Sequence, residues 1–135
     1  MIKNQGKVLS FQQNADFHKK RGERSLASND LLAAARHYRK VWEKDPYDYD
    51  TCMHLAEILY EMQRFDESLR ILFICLSMGD PKPEILFGMA SDLYELHEFE
   101  YASQCLERYL EEAPEGPYAF EAEDFLSFLE SEDEL

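Results

Sequence analysis

The 135 residues, 45% of them hydrophobic, suit one domain with a real core rather than two. Five Gly and five Pro exclude collagen-like, linker-like and many-turned all-β chains, and no apolar run approaches the roughly eighteen residues of a membrane span. The net charge of −14 is uneven: residues 1–44 hold ten Lys and Arg against four acids, and residues 45–135 hold four against twenty-four.

In chain order, Met1 to Ser10 carry lysines but no apolar core of secretory-signal length, which points to a cytoplasmic location. From residue 15 the chain falls into step with itself at a spacing of 34, giving segments 15–48, 49–82 and 83–116. In each, apolar residues recur at spacings of three and four over two stretches of about fourteen residues, the pattern of two amphipathic helices. The second copy is clearest, with Leu55, Ala56, Leu59 and Tyr60, then Phe65, Leu69 and Leu72. The third echoes it with Leu86, Met89, Ala90, Leu93 and Tyr94, then Phe99, Ala102, Leu106 and Tyr109.

Punctuation keeps the same period. Asp48 is placed to cap the helix opening near Tyr49, and Asn29 or Asp30 to cap the second helix of the first segment. Pro83 and Pro117 suit first helical turns, while Pro46, Pro81 and Pro114 stop the helices before them. Gaps this short force antiparallel hairpins, and their even spacing forces the hairpins to stack as a solenoid. Residues 117–130 read as one further amphipathic helix, with Phe120, Phe125, Phe128 and Leu129 to cover the open end, and 131–135 as an acidic tail. Cys52, Cys75 and Cys105 lie far apart among apolar residues, so buried free thiols are expected.

These residues resemble the tetratricopeptide repeat over 15–116. Gly22, Ala34, Tyr38 and Pro46 match its pattern in the first segment, and Leu55, Ala56, Ser68 and Leu72 in the second. Leu86, Ala90, Ala102, Leu106 and Pro114 match in the third, with Met89 standing for Leu. The resemblance implies an all-α fold, a right-handed superhelical solenoid of three hairpins plus a capping helix, as one domain over 15–130 behind an extension at 1–14. The small residues have a steric role: Ala56 and Ala90 let a hairpin close, and Ser68 and Ala102 let the next one nest. His18 and Arg21 depart from the pattern, with Val8, Leu9 and Phe11 expected to give that helix apolar cover. Tyr109, where the pattern has a small residue, should reshape the contact with the closing helix.

In this family the first helices of the hairpins line a groove that takes a peptide of another protein. Carried over by position, the groove receives Asp16, Lys19, Lys20, Glu23, Leu26 and Ala27, then Asp50, Met53, His54, Glu57, Tyr60 and Glu61, then Glu84, Phe87, Gly88, Ser91, Tyr94 and Glu95. The binding residues are expected among Met53, His54, Glu57, Tyr60, Glu61, Phe87, Ser91, Tyr94 and Glu95, where aromatics anchor and acids surround them. The resemblance does not extend to members that clamp the C-terminal carboxylate of heat-shock proteins. Their Lys, Asn, Asn, Lys and Arg correspond here to Lys19, Glu23, His54, Glu84 and Gly88, and four of the five fail.

The expected function is therefore a non-catalytic scaffold or adaptor. Its partner is another protein, offering a segment with apolar anchors and basic flanks, since the acidic part repels nucleic acid and anionic membranes. The basic run 18–24 could meet the acidic end of a second copy in a salt-sensitive self-association. The alternatives are a small secretion-type chaperone dimerising through its N-terminal segment, or the interaction arm of a larger enzyme or regulator. His18, His37, His54 and His97 are scattered, and there is no phosphate loop or nucleophile motif, so no metal, cofactor or catalysis is expected.

Overall fold

The fold is seen in a computed structural model, which describes residues 22–23, 30–78 and 81–133. The extension at 1–14, the departures at His18 and Arg21, most of the basic run and the N-terminal dimerisation segment lie outside the described residues. Among the described residues the structure is all helical: α1 (Leu31–Lys44), α2 (Tyr49–Glu61), α3 (Phe65–Met78), α4 (Glu84–Glu95), α5 (Phe99–Glu112) and α6 (Ala119–Asp133). Each helix packs on the next in sequence, and α2 also touches α4. Stacked antiparallel hairpins result, with α2 and α4 side by side on one face and α3 and α5 on the other.

The helix ends follow from local chemistry. Asp30 Oδ1 accepts from the Ala33 amide at 3.1 Å and caps α1. Asp48 Oδ2 accepts from the Thr51 amide at 3.0 Å and the Thr51 hydroxyl at 2.6 Å, capping α2. Asp48→Ala should lower stability by about 1–2 kcal/mol. The check is urea unfolding, where the midpoint should fall with an unchanged m-value; an unmoved midpoint would mean that the cap contributes nothing. At the other ends of α2 and α4 the amides of Arg64 and Glu98 reach back to the carbonyls of Leu59 and Leu93, both at 2.8 Å. Gln63 and His97 close these turns with φ of 61° and 62°. The two hairpin corners therefore share one geometry, 34 residues apart, without a glycine.

Apolar side chains gather in two cores. One holds Tyr38, Cys52, Leu55, Leu59, Ile71, Leu72, Ile85 and Met89; the other holds Leu86, Ala90, Ala102, Leu106, Tyr109, Ala122 and Leu129. Leu76 and Cys105 border both. The small residues Ala56, Ser68, Ala90 and Ala102 are all buried, as close helix approach demands. Cys52 and Cys75 are free and buried, whereas Cys105 is only half-buried. The Cys52 thiol donates to the Pro46 carbonyl at 3.2 Å and ties the loop before α2 to the core; burial pushes its pKa well up.

The closing helix differs from expectation in two respects. It begins at Ala119, so Pro117 sits in the turn before it rather than in its first turn. Leu129 is buried and Phe125 half-buried, but Phe120 and Phe128 are 78% and 45% exposed. Ala122, fully buried, brings the helix close, and a large side chain at 120 is not needed for the seal.

Candidate functional site

On α2, Met53, Glu57, Tyr60 and Glu61 recur at one side of the helix, and on α4 so do Glu84, Phe87, Gly88 and Ser91. Because α2 and α4 lie side by side, these stripes face one another across a pocket of about 320 Å³. Its floor is made of the buried residues Ala56, Ser68, Leu72 and Asp92. Gly88 lets α4 lie against α3, since a Cβ there would stand 2.9 Å from Leu72 Cδ1. Tyr118, in the turn before α6, closes one end by stacking on Phe87 with centroids 4.8 Å apart and planes at 14°. Tyr60 stands edge-on to Phe65 at 5.1 Å, and its hydroxyl donates to Glu95 at 3.2 Å.

The electrostatics are one-sided. The lining carries the carboxyl groups of Glu57, Glu61, Glu84 and the buried Asp92, with no Lys or Arg among them. Burial, reinforced by Glu95, raises the Tyr60 phenol above its ordinary pKa; burial, reinforced by Glu57 and Glu84, does the same for Tyr118. Both rings therefore stay neutral donors in an acid field. Asp92 is 1% exposed, and burial pushes its carboxyl up to about 7 against the opposing pull of the Ser68 hydroxyl. Among the described residues no three His, Cys, Asp or Glu side chains group as a metal site, and no helix is long and apolar enough to cross a membrane.

A family model described as "Tetratricopeptide repeat" matches residues 25–73, and the stacked hairpins beyond them repeat the same unit. Residues 25–73 thus carry the tetratricopeptide repeat, and the described hairpins share the fold of tetratricopeptide-repeat domains. It is 23% identical over 133 residues to the TPR repeat-containing protein YvcD of Bacillus subtilis (strain 168), covering 98% of this chain but 28% of that relative's length. Among solved structures it is similar to the MamA protein, with a TM-score of 0.78 at 16% identity, covering 90% of this chain and 64% of that one. The first TPR of Spaghetti (RPAP3), bound to the HSP90 peptide SRMEEVD, superposes with a TM-score of 0.79 at 20% identity, covering 91% and 95%. The TPR2B-domain:pHsp70 complex of yeast Sti1 gives 0.77 at 15% identity, covering 89% and 98%. At these identities the likeness is one of fold.

Of the nine groove residues expected from this repeat protein's sequence, Met53, Glu57, Tyr60, Glu61, Phe87 and Ser91 line the pocket together. Glu95 stands at its edge, held by Tyr60. His54 is elsewhere, its ring stacked on Tyr38 at 5.4 Å and its Nδ1 2.7 Å from the Asp50 carbonyl. Tyr94 also stands apart from the lining. Its ring packs edge-on against Phe125 at 5.4 Å and Phe128 at 6.1 Å, joining α4 to α6 rather than lining the pocket.

Sequence reasoning missed Asp92 and Tyr118, and it took Ser68 for a spacer alone. A signal for Asp92 was present: one period earlier stands Ile58, a buried apolar residue of the same stripe. Tyr118 carries no such signal, because it belongs to a turn outside the repeated unit. A second, wider depression of about 560 Å³ lies between α3 and α5, where Phe73 and Tyr101 are 57% and 59% exposed and Cys105 contributes its half-buried thiol.

Proposed function

We propose that this protein is a non-catalytic interaction scaffold that holds a segment of another protein in the α2–α4 groove. The observation that carries the reading is the pocket itself: Met53, Tyr60, Phe87 and Tyr118 present apolar surface with no core over it, ringed by Glu57, Glu61 and Glu84. Aromatic anchors in a concave site bind by desolvation, and acids around them select the charge of what enters. The partner segment accordingly carries apolar anchors with Lys or Arg at their flanks.

The peptide-bound RPAP3 domain shares the fold, but the charge of its ligand is opposed to that of this groove's ideal partner. The HSP90 peptide SRMEEVD carries three acids in its last four residues, and this lining would oppose it. Titration with that peptide at physiological salt should give no measurable heat, and a micromolar complex would overturn the charge argument.

Tyr60→Ala should leave the fold intact, since the side chain is half-exposed and its one hydroxyl bond is at the surface. Loss of such an anchor costs about 2 kcal/mol, close to thirtyfold in affinity. The measurement is capture of partners from lysate of the native organism by wild type and variant, with circular dichroism confirming equal helicity. Equal capture by both would remove the groove from the function. A second reading, in which these repeats act as the interaction arm of a longer chain, is favoured by the length of the Bacillus relative.

A further inference from the structure

Asp92 is an oddity that neither the fold nor apolar docking explains. It is 1% exposed, it forms part of the floor of the α2–α4 pocket, and its Oδ1 has no hydrogen-bond partner. Its Oδ2 lies 2.7 Å from Ser68 Oγ, which in turn lies 3.1 Å from the Ala56 carbonyl. The Ser68 hydroxyl has a single proton and so serves one of the two acceptors at a time. With the carboxyl protonated both contacts are made at once, Asp92 donating to Ser68 and Ser68 to Ala56. With the carboxyl ionised, the buried charge keeps a single hydroxyl donor at most and an empty Oδ1, an arrangement that needs a cation.

We propose that Asp92 receives one basic side chain of the bound segment, a Lys ammonium or Arg guanidinium that enters the pocket and donates to Oδ1 as the carboxyl loses its proton. The proposal rests on the groove reading given above and deepens it by naming the group at the bottom of the site. Size and wall chemistry fit. A pocket of about 320 Å³ admits one long side chain. The flanking Met53, Leu72 and Phe87 offer apolar surface to its methylenes, leaving the charged head for the floor.

The charged and titratable groups around Asp92 point the same way. From α2 the lining carries Glu57, Tyr60 and Glu61, from α4 Glu84, and from the turn before α6 Tyr118. Glu95 reaches the edge through Tyr60. The α3 residues of the lining are Ser68 and Leu72, neither of which titrates, and α1, α5 and α6 contribute none. Burial holds the carboxyl neutral up to about pH 7 in the empty site, so taking up a cation releases one proton. Affinity for a cation then rises with pH, by up to about tenfold per unit below pH 7, and levels off above it.

The test uses the full chain and three probes of equal reach: hexylammonium, hexylguanidinium and hexanol. Binding is followed by NMR through the Gly88 and Asp92 amides and the Asp92 carboxyl carbon, from pH 5.5 to 8.5. Wild type should bind both cations about tenfold more tightly than hexanol at pH 8, with the preference shrinking as the pH falls, and each cation should lower the Asp92 pKa. Asp92→Asn should abolish the preference and its pH dependence while still binding hexanol. The rim variant Glu57→Gln/Glu84→Gln should keep both, losing about two- to threefold at low salt. Equal binding of cation and alcohol by wild type, or an undiminished preference in Asp92→Asn, overturns the role of Asp92 and leaves the groove standing. Failure of all three probes to move the pocket amides overturns both this proposal and the groove reading.

Discussion

Tyr109→Ala is expected to lower the unfolding free energy by about 3–5 kcal/mol, the range for deleting a large ring from a packed core. The ring is fully buried, stands 6.3 Å from Phe87 at 60°, and its hydroxyl accepts the Tyr118 amide at 2.9 Å. Gly116 makes this arrangement possible. A Cβ there would lie 2.5 Å from the Tyr109 hydroxyl, so the glycine is needed for space, and its φ is not positive. A residue too large for the usual repeat is thus accommodated by a missing side chain nearby. Because domain stabilities are about 5–15 kcal/mol, the alanine variant loses much of its margin. Tyr109→Phe should cost about 1–2 kcal/mol by leaving the Tyr118 amide unpaired. It should also make Gly116→Ala easier to bear, so that the double variant is less damaged than the sum of the singles. Thermal and urea unfolding of the four proteins measures this, and strict additivity would show that the hydroxyl and the glycine are independent.

Asp92→Asn should instead stabilise the protein, increasingly as the pH rises above about 4. The folded carboxyl titrates at about 7, against about 3.9 for an unfolded chain. Below pH 4 both states are protonated and the group costs nothing as a charge. Between pH 4 and 7 the unfolded chain gives up its proton while the folded one keeps it, so stability falls as pH rises. Above 7 the penalty is level, with an upper bound of about 4 kcal/mol. The asparagine variant lacks this titration. Its advantage over wild type should be absent at pH 4, grow through pH 5–7 and hold at pH 8, with melting temperatures as the readout. An equal offset at all three pH values would mean that Asp92 titrates normally. A side chain that lowers stability in the floor of the proposed groove is what a site selected for binding rather than folding would keep.

The hairpins were legible in the sequence because period, caps and small residues agreed. Asp48 caps as its place before Tyr49 requires, and Ser68 and Ala102 are buried as nesting requires. The site was legible where it follows helical spacing, as with Met53, Glu57 and Tyr60 on α2. It was not legible where an aromatic serves two faces. Tyr94 occupies a groove position, but the closing helix brings Phe125 and Phe128 onto its ring, and their placement depends on the turn at 113–118 rather than on the repeat. Asp92 was passed over for another reason, although Ile58 one period earlier marks its position as buried. An acid on an amphipathic helix is taken to be solvated unless its neighbours in space are known, and Ser68, which holds it, lies 24 residues away.

The seam between the two cores gives the groove a mechanical role. Leu72 belongs to the first core and Met53 borders it, while Phe87 and Tyr118 border the second, yet all four line the same pocket. Without a partner the two cores should open as separate cooperative units, so that amide exchange in α5 and α6 is expected to run ahead of that in α2 and α3. A segment seated across the seam grips both units and makes opening either one require its release. Exchange and proteolytic nicking of α6 should then slow on binding, although Tyr118, just before that helix, is all that the partner meets there. Occupancy would be read at the far end of the chain as rigidity, with no change of shape.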